Sequence, residues 1–248
     1  MKFVLHLCRI IDVRQKNNMI ELFDIETWRY ERKFVISELS QQEIELIIRF
    51  HPAMFSEIYH PRWVNNIYFD SFGAQNYRDN IEGLRNRVKV RIRWYGSFLE
   101  PAKEPMLEFK FKRGILGAKK KFPLSSFFIN QKIGERGLND LIRNSDLPDS
   151  VKAYVSPLVP CLLNRYLRKY YRSWDRHYRI TVDSDMKCNT ASSHFQALFQ
   201  QDSDKINTVL ELKYDSSKDA NADTITNHFP FRMTKNSKYV NGIERALT

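Results

Sequence analysis

The sequence predicts an α+β domain built mainly from antiparallel strands, and three observations predict it. At least five segments alternate apolar with ionisable residues at a period of two, the mark of strands that bury one face. Stretches between them carry helical spacing or helix-boundary signals. The 248 residues, 42% hydrophobic and 13% aromatic, are enough for a sizeable core.

In order along the chain, the opening MKFVLHLCRIIDV is briefly apolar, but His6, Arg9 and Asp12 interrupt it and no small-residue cleavage site follows. Residues 1–28 are expected to form an arm or an extra strand ahead of one domain over 29–248, since no repeat, low-complexity tract or linker divides the rest. RYERKFVI, 29–36, reads as the first strand, with Glu31, Lys33 and Val35 opposite Tyr30, Phe34 and Ile36. Ser40 and Glu43 have capping-box spacing, and Ile44, Leu46, Ile47, Ile48 and Phe50 supply a helical stripe that ends before Pro52. WVNNIYFDS, 63–71, reads as a strand, and NIEGLR, 80–85, as the turn into VKVRIRWYG, 88–96. There Lys89, Arg91 and Arg93 alternate with Val88, Val90, Ile92 and Trp94. LEFKFKRG, 107–114, follows as a hairpin partner with Glu108, Lys110 and Lys112 on one face.

From about 122 to 165 the period of two is lost, and GLNDLIRNS and SVKAYVSPLVPCLL look helical. Strands resume with NRYLRKYYRS, 164–173, and HYRITVDSDM, 177–186, where Arg179, Thr181, Asp183 and Asp185 share a face. VLELKYD, 209–215, sets Glu211, Lys213 and Asp215 against Leu210, Leu212 and Tyr214. The polar 216–228 reads as loop, and the tail FRMTKNSKYVNGIERA as a basic loop and a short helix.

Forty Lys and Arg against 29 Asp and Glu leave +11, with a pI near 9.5, which points to an anionic partner. RRM, KH, zinc-finger and helix-turn-helix motifs are absent, so no sequence-specific nucleic-acid partner is expected, and the absence of GxxxxGK[ST] removes a P-loop NTPase. Cys8, Cys161 and Cys188 lie too far apart for a disulfide framework or a zinc pattern, and the six His show no HExxH spacing. No window reaches the roughly 18 apolar residues of a membrane span. A soluble protein of a reducing compartment, the cytoplasm, is expected.

Cations on alternate strand residues lie about 7 Å apart and repel by roughly 2 kcal/mol at an effective dielectric of about 20. Solvated on an outer face, they cost almost nothing. Charged faces recurring on five strands fit either a sandwich with charges outside or a barrel with charges lining its interior. Periodicity does not separate the two, although amphipathic helices able to cover an apolar exterior favour the barrel.

The runs YERKF, VNNIYFDS, RVKVRIRWYG, LEFKFK, AKKKF, YLRKYY, YRITVDSD, LELKYD and SKYVNG, in that order over about 29–243, resemble the polyphosphate polymerase domain of the vacuolar transporter chaperone (VTC) family. That family belongs to the CYTH-like triphosphate tunnel metalloenzymes. The resemblance implies an antiparallel β-barrel forming a charged tunnel flanked by helices, and transfer of the γ-phosphate of ATP onto a growing polyphosphate chain. It implies that Lys33, Arg91, Arg93, Lys110, Lys119, Arg168 and Arg179 line the tunnel and bind phosphate, with Ser237 and Lys238 as an SK pair near its mouth. Lys89, Lys112 and Lys213, on the same charged faces, are expected to add to substrate binding. Glu211 is the expected ligand of Mn²⁺ or Mg²⁺, with Glu31 and Glu108 completing the shell. Within AKKKF a slip of register would substitute Lys120 or Lys121 for Lys119. Asp70 and Asp183 are expected as structural partners of interior arginines, and Arg85 and Arg87 as surface charges.

ATP and inorganic polyphosphate are therefore the expected partners. The alternatives are a metal-dependent triphosphatase, in which water attacks, and a non-catalytic polyphosphate binder. The sequence carries neither the phosphate-sensing domain nor the membrane helices of eukaryotic members, so a stand-alone enzyme, or one recruited by a separate membrane protein, is expected.

Overall fold

The computed structural model describes residues 23, 25, 27–98, 100–129, 135–190 and 207–247, so most of the arm expected over 1–28, Cys8 included, lies outside the described residues. Eight antiparallel strands form the core: β1 Arg29–Ile36, β2 Ser56–Ser71, β3 Asn86–Tyr95, β4 Met106–Arg113, β5 Leu116–Pro123, β6 Leu158–Arg172, β7 Tyr178–Thr190 and β8 Thr208–Asp215. They are ordered β1-β5-β4-β3-β2-β6-β7-β8, and β8 pairs back to β1, closing the sheet on itself. The β1–β5 seam is short, Arg29 opposite Gly117 and Tyr30 opposite Leu116.

Closure turns the strand period into an inside and an outside. Outward-facing Ile92 and Trp94 of β3 pack with Leu107 and Phe109 of β4 under α3 (Glu135–Asn144) and α4 (Asp149–Val155), which contribute Leu138, Ile142, Val151 and Val155. On the opposite side Phe34, Ile180, Val182, Leu210 and Leu212 are covered by Ile44 and Ile48 of α1 (Gln41–Arg49) and by Phe229. Ser40 caps α1 through the capping box with Glu43, while Leu46 and Phe50 of the sequence stripe stay exposed. Phe23, ahead of β1, packs on Phe109, Phe111 and Phe122.

Several elements differ from the sequence reading: β2 starts at Ser56, ahead of the expected 63–71, and neither the helix Gln75–Ile81 nor β5 was read from the pattern. Residues 158–163, LVPCLL, begin β6 instead of continuing a helix. Leu162 and Leu163 are both fully buried, on opposite faces of the strand, so no alternation was available to mark it. Pro160 sits where the β2–β6 register shifts, the position at which a sheet tolerates a missing N–H. Residues 216–226 form a 3₁₀ turn, Ser216–Asn221, and α5, Ala222–Thr226, nucleated where Asp215 accepts from the Ser217 N–H. In β7 the pairing passes from Leu167–Ser184 to Arg165–Lys187, with Asp185 at φ +50°. This bulge ends the face Asp185 was expected to share with Asp183.

Asp70 also has a different role. Helix α2 (Gln75–Ile81) starts after Ala74, which is left-handed and has no capping side chain. Asp70 reaches over instead, accepting from the N–H groups of Ser71 (2.7 Å), Asn76 (2.9 Å) and Tyr77 (3.0 Å) and from the Tyr239 hydroxyl. It thereby ties α2 to α6 (Lys238–Leu247), which packs on β6 and β7. Asp70→Ala leaves these buried donors without a partner and is expected to cost about 2–3 kcal/mol in denaturant unfolding; a loss below about 0.5 kcal/mol would remove Asp70 from this role.

Candidate functional site

The inward faces of the strands and the start of α6 enclose a cavity of about 400 Å³. Period-two alternation places Lys89, Arg91 and Arg93 of β3, Lys110 of β4, Lys119 and Lys121 of β5, Arg168 and Arg172 of β6, and Arg179 of β7 on its wall. Arg29 and Lys33 of β1, Lys213 of β8 and Lys238 of α6 complete thirteen cations against two lining glutamates, Glu31 and Glu211.

Four carboxylates organise part of this charge. Glu108 Oε2 accepts from Arg91 Nε (2.9 Å) and Nη2 (2.7 Å), and its Oε1 from Lys119 (3.2 Å). Asp183, fully buried, is bridged by both arms of Arg168 (2.5 and 2.7 Å) and by Lys238 (2.6 Å). Glu211 lies 2.8 Å from Lys213, 3.4 Å from Lys238 and 3.5 Å from Lys33. Glu31 holds Lys110 at 2.7 Å. Burial alone would raise the carboxyl pKa of Glu108, but Arg91, Arg93 and Lys119 override it and hold the group well below the usual range. At Glu31 the same contest is won by Lys110 and Lys33.

Neutral groups complete the frame. Arg91 Nη1 donates to the Tyr68 hydroxyl (2.9 Å) and Arg93 Nη2 to that of Tyr166 (2.8 Å). Arg93 Nε donates to Asn66, whose amide donates to Asn164. Among the described residues, Arg29, Lys89, Lys121, Arg172 and Arg179 have no carboxylate within ion-pair distance. Lys89 donates to Ser237 Oγ (2.8 Å), and its pKa is pulled well down, first by burial and then by Lys33, Lys110, Arg87 and Arg91. Burial, only partly offset by Glu211, lowers Lys213 to about 8.

Most of the sequence-expected residues thus meet on one wall. Lys112 does not: it donates to the Ile115 carbonyl at the end of the β4–β5 hairpin and is absent from the cavity lining. In AKKKF, Lys119 and Lys121 face inward, whereas Lys120 points out and donates to the Phe23 carbonyl. Arg85 is exposed and Arg87 half-buried. Arg29 and Arg172 were not singled out from the sequence, although Arg29 lies one period-two step from Glu31 and Arg172 two such steps from Arg168; Lys121, expected only as a substitute for Lys119, lines the cavity beside it. The inward tyrosines Tyr68 and Tyr166 carried no comparable signal, because an interior aromatic reads as core.

The expected three-carboxylate metal shell is not assembled. Among the described residues no group of three or more His, Cys, Asp and Glu could hold a metal ion, and both oxygens of Glu108 are taken by Arg91 and Lys119. Glu211 and Glu31 remain on the cavity wall, on neighbouring strands, and the Glu211 charge is felt at Glu31. Two carboxylates fit Mg²⁺ or Mn²⁺, which take one or two from a protein and the rest from phosphate oxygens and water.

Residues 28–247 match the VTC domain family. The chain belongs to that family, a CYTH-like tunnel fold. Among solved structures, the PH1819 protein from Pyrococcus horikoshii OT3 is 11% identical, covering 88% of this chain and 99% of its own, with a TM-score of 0.49. A putative adenylate cyclase from Vibrio parahaemolyticus is 8% identical, covering 85% of this chain and 95% of its own, also at 0.49. No curated protein matches. Among the described residues of this VTC domain no helix is long and apolar enough to cross a membrane.

A phosphate oxygen placed beside Lys89 restores its proton affinity, so anion binding takes up protons between the depressed and the restored pKa. Calorimetry of tripolyphosphate binding at a series of pH values below the ordinary lysine pKa, in buffers of differing ionisation enthalpy, is expected to show proton uptake that is smaller in Lys89→Met. Equal uptake in the two proteins would show that Lys89 is fully charged beforehand.

Proposed function

We propose that the chain is a metal-dependent polyphosphate polymerase that transfers the γ-phosphoryl group of ATP onto the end of an inorganic polyphosphate chain and releases ADP, within a tunnel formed by the closed sheet. The observation that carries the reading is the wall of thirteen cations and two glutamates inside that sheet, in a VTC domain. A linear polyanion is the ligand such a wall fits, since a single phosphate would leave most of the cations unmatched.

In this reaction a terminal oxygen of the acceptor chain bonds to the γ-phosphorus while the bond from that phosphorus to the β,γ-bridging oxygen breaks. The electron pair stays on the ADP oxygen. The acceptor oxygen already carries negative charge, so the step requires no covalent nucleophile and little from a general base. What it requires is alignment and compensation of charge. Arg91 and Arg168 are held by Glu108 and Asp183 before any ligand arrives, so their orientation costs little at the moment of reaction. Lys33, Lys110 and Lys238 supply point charges, and Arg179, with no carboxylate partner among the described residues, is available to the incoming anion. Mn²⁺ or Mg²⁺ held by Glu211 and Glu31 would neutralise charge on the transferring phosphates.

The reaction is tested by incubating the protein with γ-labelled ATP and Mn²⁺ and resolving the products. Long labelled chains are expected; orthophosphate alone would make the protein a triphosphatase, and tight polyphosphate binding without turnover would make it a binder. Glu211→Gln keeps the shape of the side chain and is expected to lower turnover by about 100-fold or more, with cooperative melting retained. Full activity in that variant would remove Glu211 from the site.

A further inference from the structure

The wall of the cavity is not uniform. Where Arg168, Arg172 and Arg179 line it, so do two tyrosines, Tyr59 of β2 and Tyr170 of β6. Their positions pair across the β2–β6 ladder, and their rings meet edge to face, centroids 5.6 Å apart at 84°. Tyr59 lines the cavity and is nevertheless 53% exposed, which places it where the cavity opens to solvent.

Behind these rings lies Arg62. Its guanidinium sits 5.0 Å from the centre of Tyr59, 4.7 Å from that of Tyr170 and 4.7 Å from that of Tyr95, while Arg62 itself is not part of the cavity wall. One cation thus holds three aromatic rings from outside the cavity. The register of β2 shifts between Glu57 and Tyr59 and again between Tyr59 and Arg62, irregularities that locally re-aim side chains on both sides of Tyr59. A large, half-exposed aromatic held by a half-buried cation, beside Arg172 and Arg179, which have no carboxylate partner among the described residues, is more than the barrel needs to close.

We propose that Tyr59, supported by Tyr170 and Arg62, is the stacking platform for the nucleobase of a nucleoside triphosphate whose phosphates run inward along Arg172, Arg179 and Arg168. The proposal deepens the ATP-dependent reading above and rests on it for the identity of the donor. It assigns a division of labour: the cations bind phosphate whatever is attached to it, and Tyr59 makes the site prefer a triphosphate that carries a base. Base–aromatic stacking needs only a π-face, so the preference is for a nucleobase as a class.

The test compares ATP with inorganic tripolyphosphate, which has the phosphates and no base, by calorimetry on the full chain. Tyr59→Ala is expected to weaken ATP binding about 5- to 100-fold and to change tripolyphosphate binding by less than about twofold. Tyr59→Trp is expected to restore ATP binding. Equal weakening of both ligands would reduce Tyr59 to a structural residue of the mouth, and no change in either would remove it from the site. Selective loss of ATP affinity in a protein that makes no labelled polyphosphate would leave the platform standing and overturn the polymerase reading alone.

Discussion

Glu108 and Asp183 each sit inside the closed sheet with almost no exposure, one between Arg91, Arg93 and Lys119, the other between Arg168 and Lys238. The rest of the molecule depends on these pairings. Thirteen cations facing a common space repel one another, and neighbours along a strand do so by roughly 2 kcal/mol each at an effective dielectric of about 20. Four carboxylates cannot cancel that field, but they fix the deepest arginines and lysines in place and leave the others to a ligand. The energetic value of such buried pairs lies in geometry more than in net stability, since burying the charges itself costs several kcal/mol per ion.

That division matters for a reaction dominated by electrostatics. Cations that already have partners are aligned without ligand, and cations that lack them draw a polyanion in. The aromatic and amide framework serves the same end: Tyr68, Tyr166 and Asn66 each take a hydrogen bond from an arginine that would otherwise be free to turn. Helix α6 closes one side and brings Ser237 and Lys238 to the wall, docked through Tyr239 and Asp70. A helix whose first residue pairs with two interior carboxylates, Asp183 and Glu211, is part of the site and not merely a cover over the sheet.

Much of this was legible in the sequence where one face of a strand is charged and the other apolar. β1 has the bounds its alternation gave, and β3, β4 and β8 each keep their charged residues, Arg91, Arg93, Lys110, Glu211 and Lys213, on one face as their pattern implied, the face that lines the cavity. Inside and outside could not be told apart by periodicity, because a solvated cationic face and a buried one have the same period. The pattern failed where both faces are buried, as at Leu162 and Leu163, or where a bulge resets the count, as at Asp185. It also failed where a side chain acts out of register: Asp70 was expected beside an arginine and instead caps a helix. Glu108 was given a place in the metal shell by the family resemblance, and from the residues alone a carboxylate among cations reads equally as ligand or counter-ion. In the structure its two oxygens lie at hydrogen-bond distance from Arg91 and Lys119.

The closed sheet holds more positive charge than its four carboxylates offset, and a linear polyphosphate is the ligand expected to neutralise it. The most direct measurement is thermal unfolding with and without inorganic tripolyphosphate, against sodium chloride of equal ionic strength. A ligand at 100 times its dissociation constant stabilises by about 2.7 kcal/mol, which for a chain of this size raises Tm by about 5–10 °C. A rise of that order is expected with tripolyphosphate and little with salt. An unchanged Tm, or the same rise with both, would contradict it.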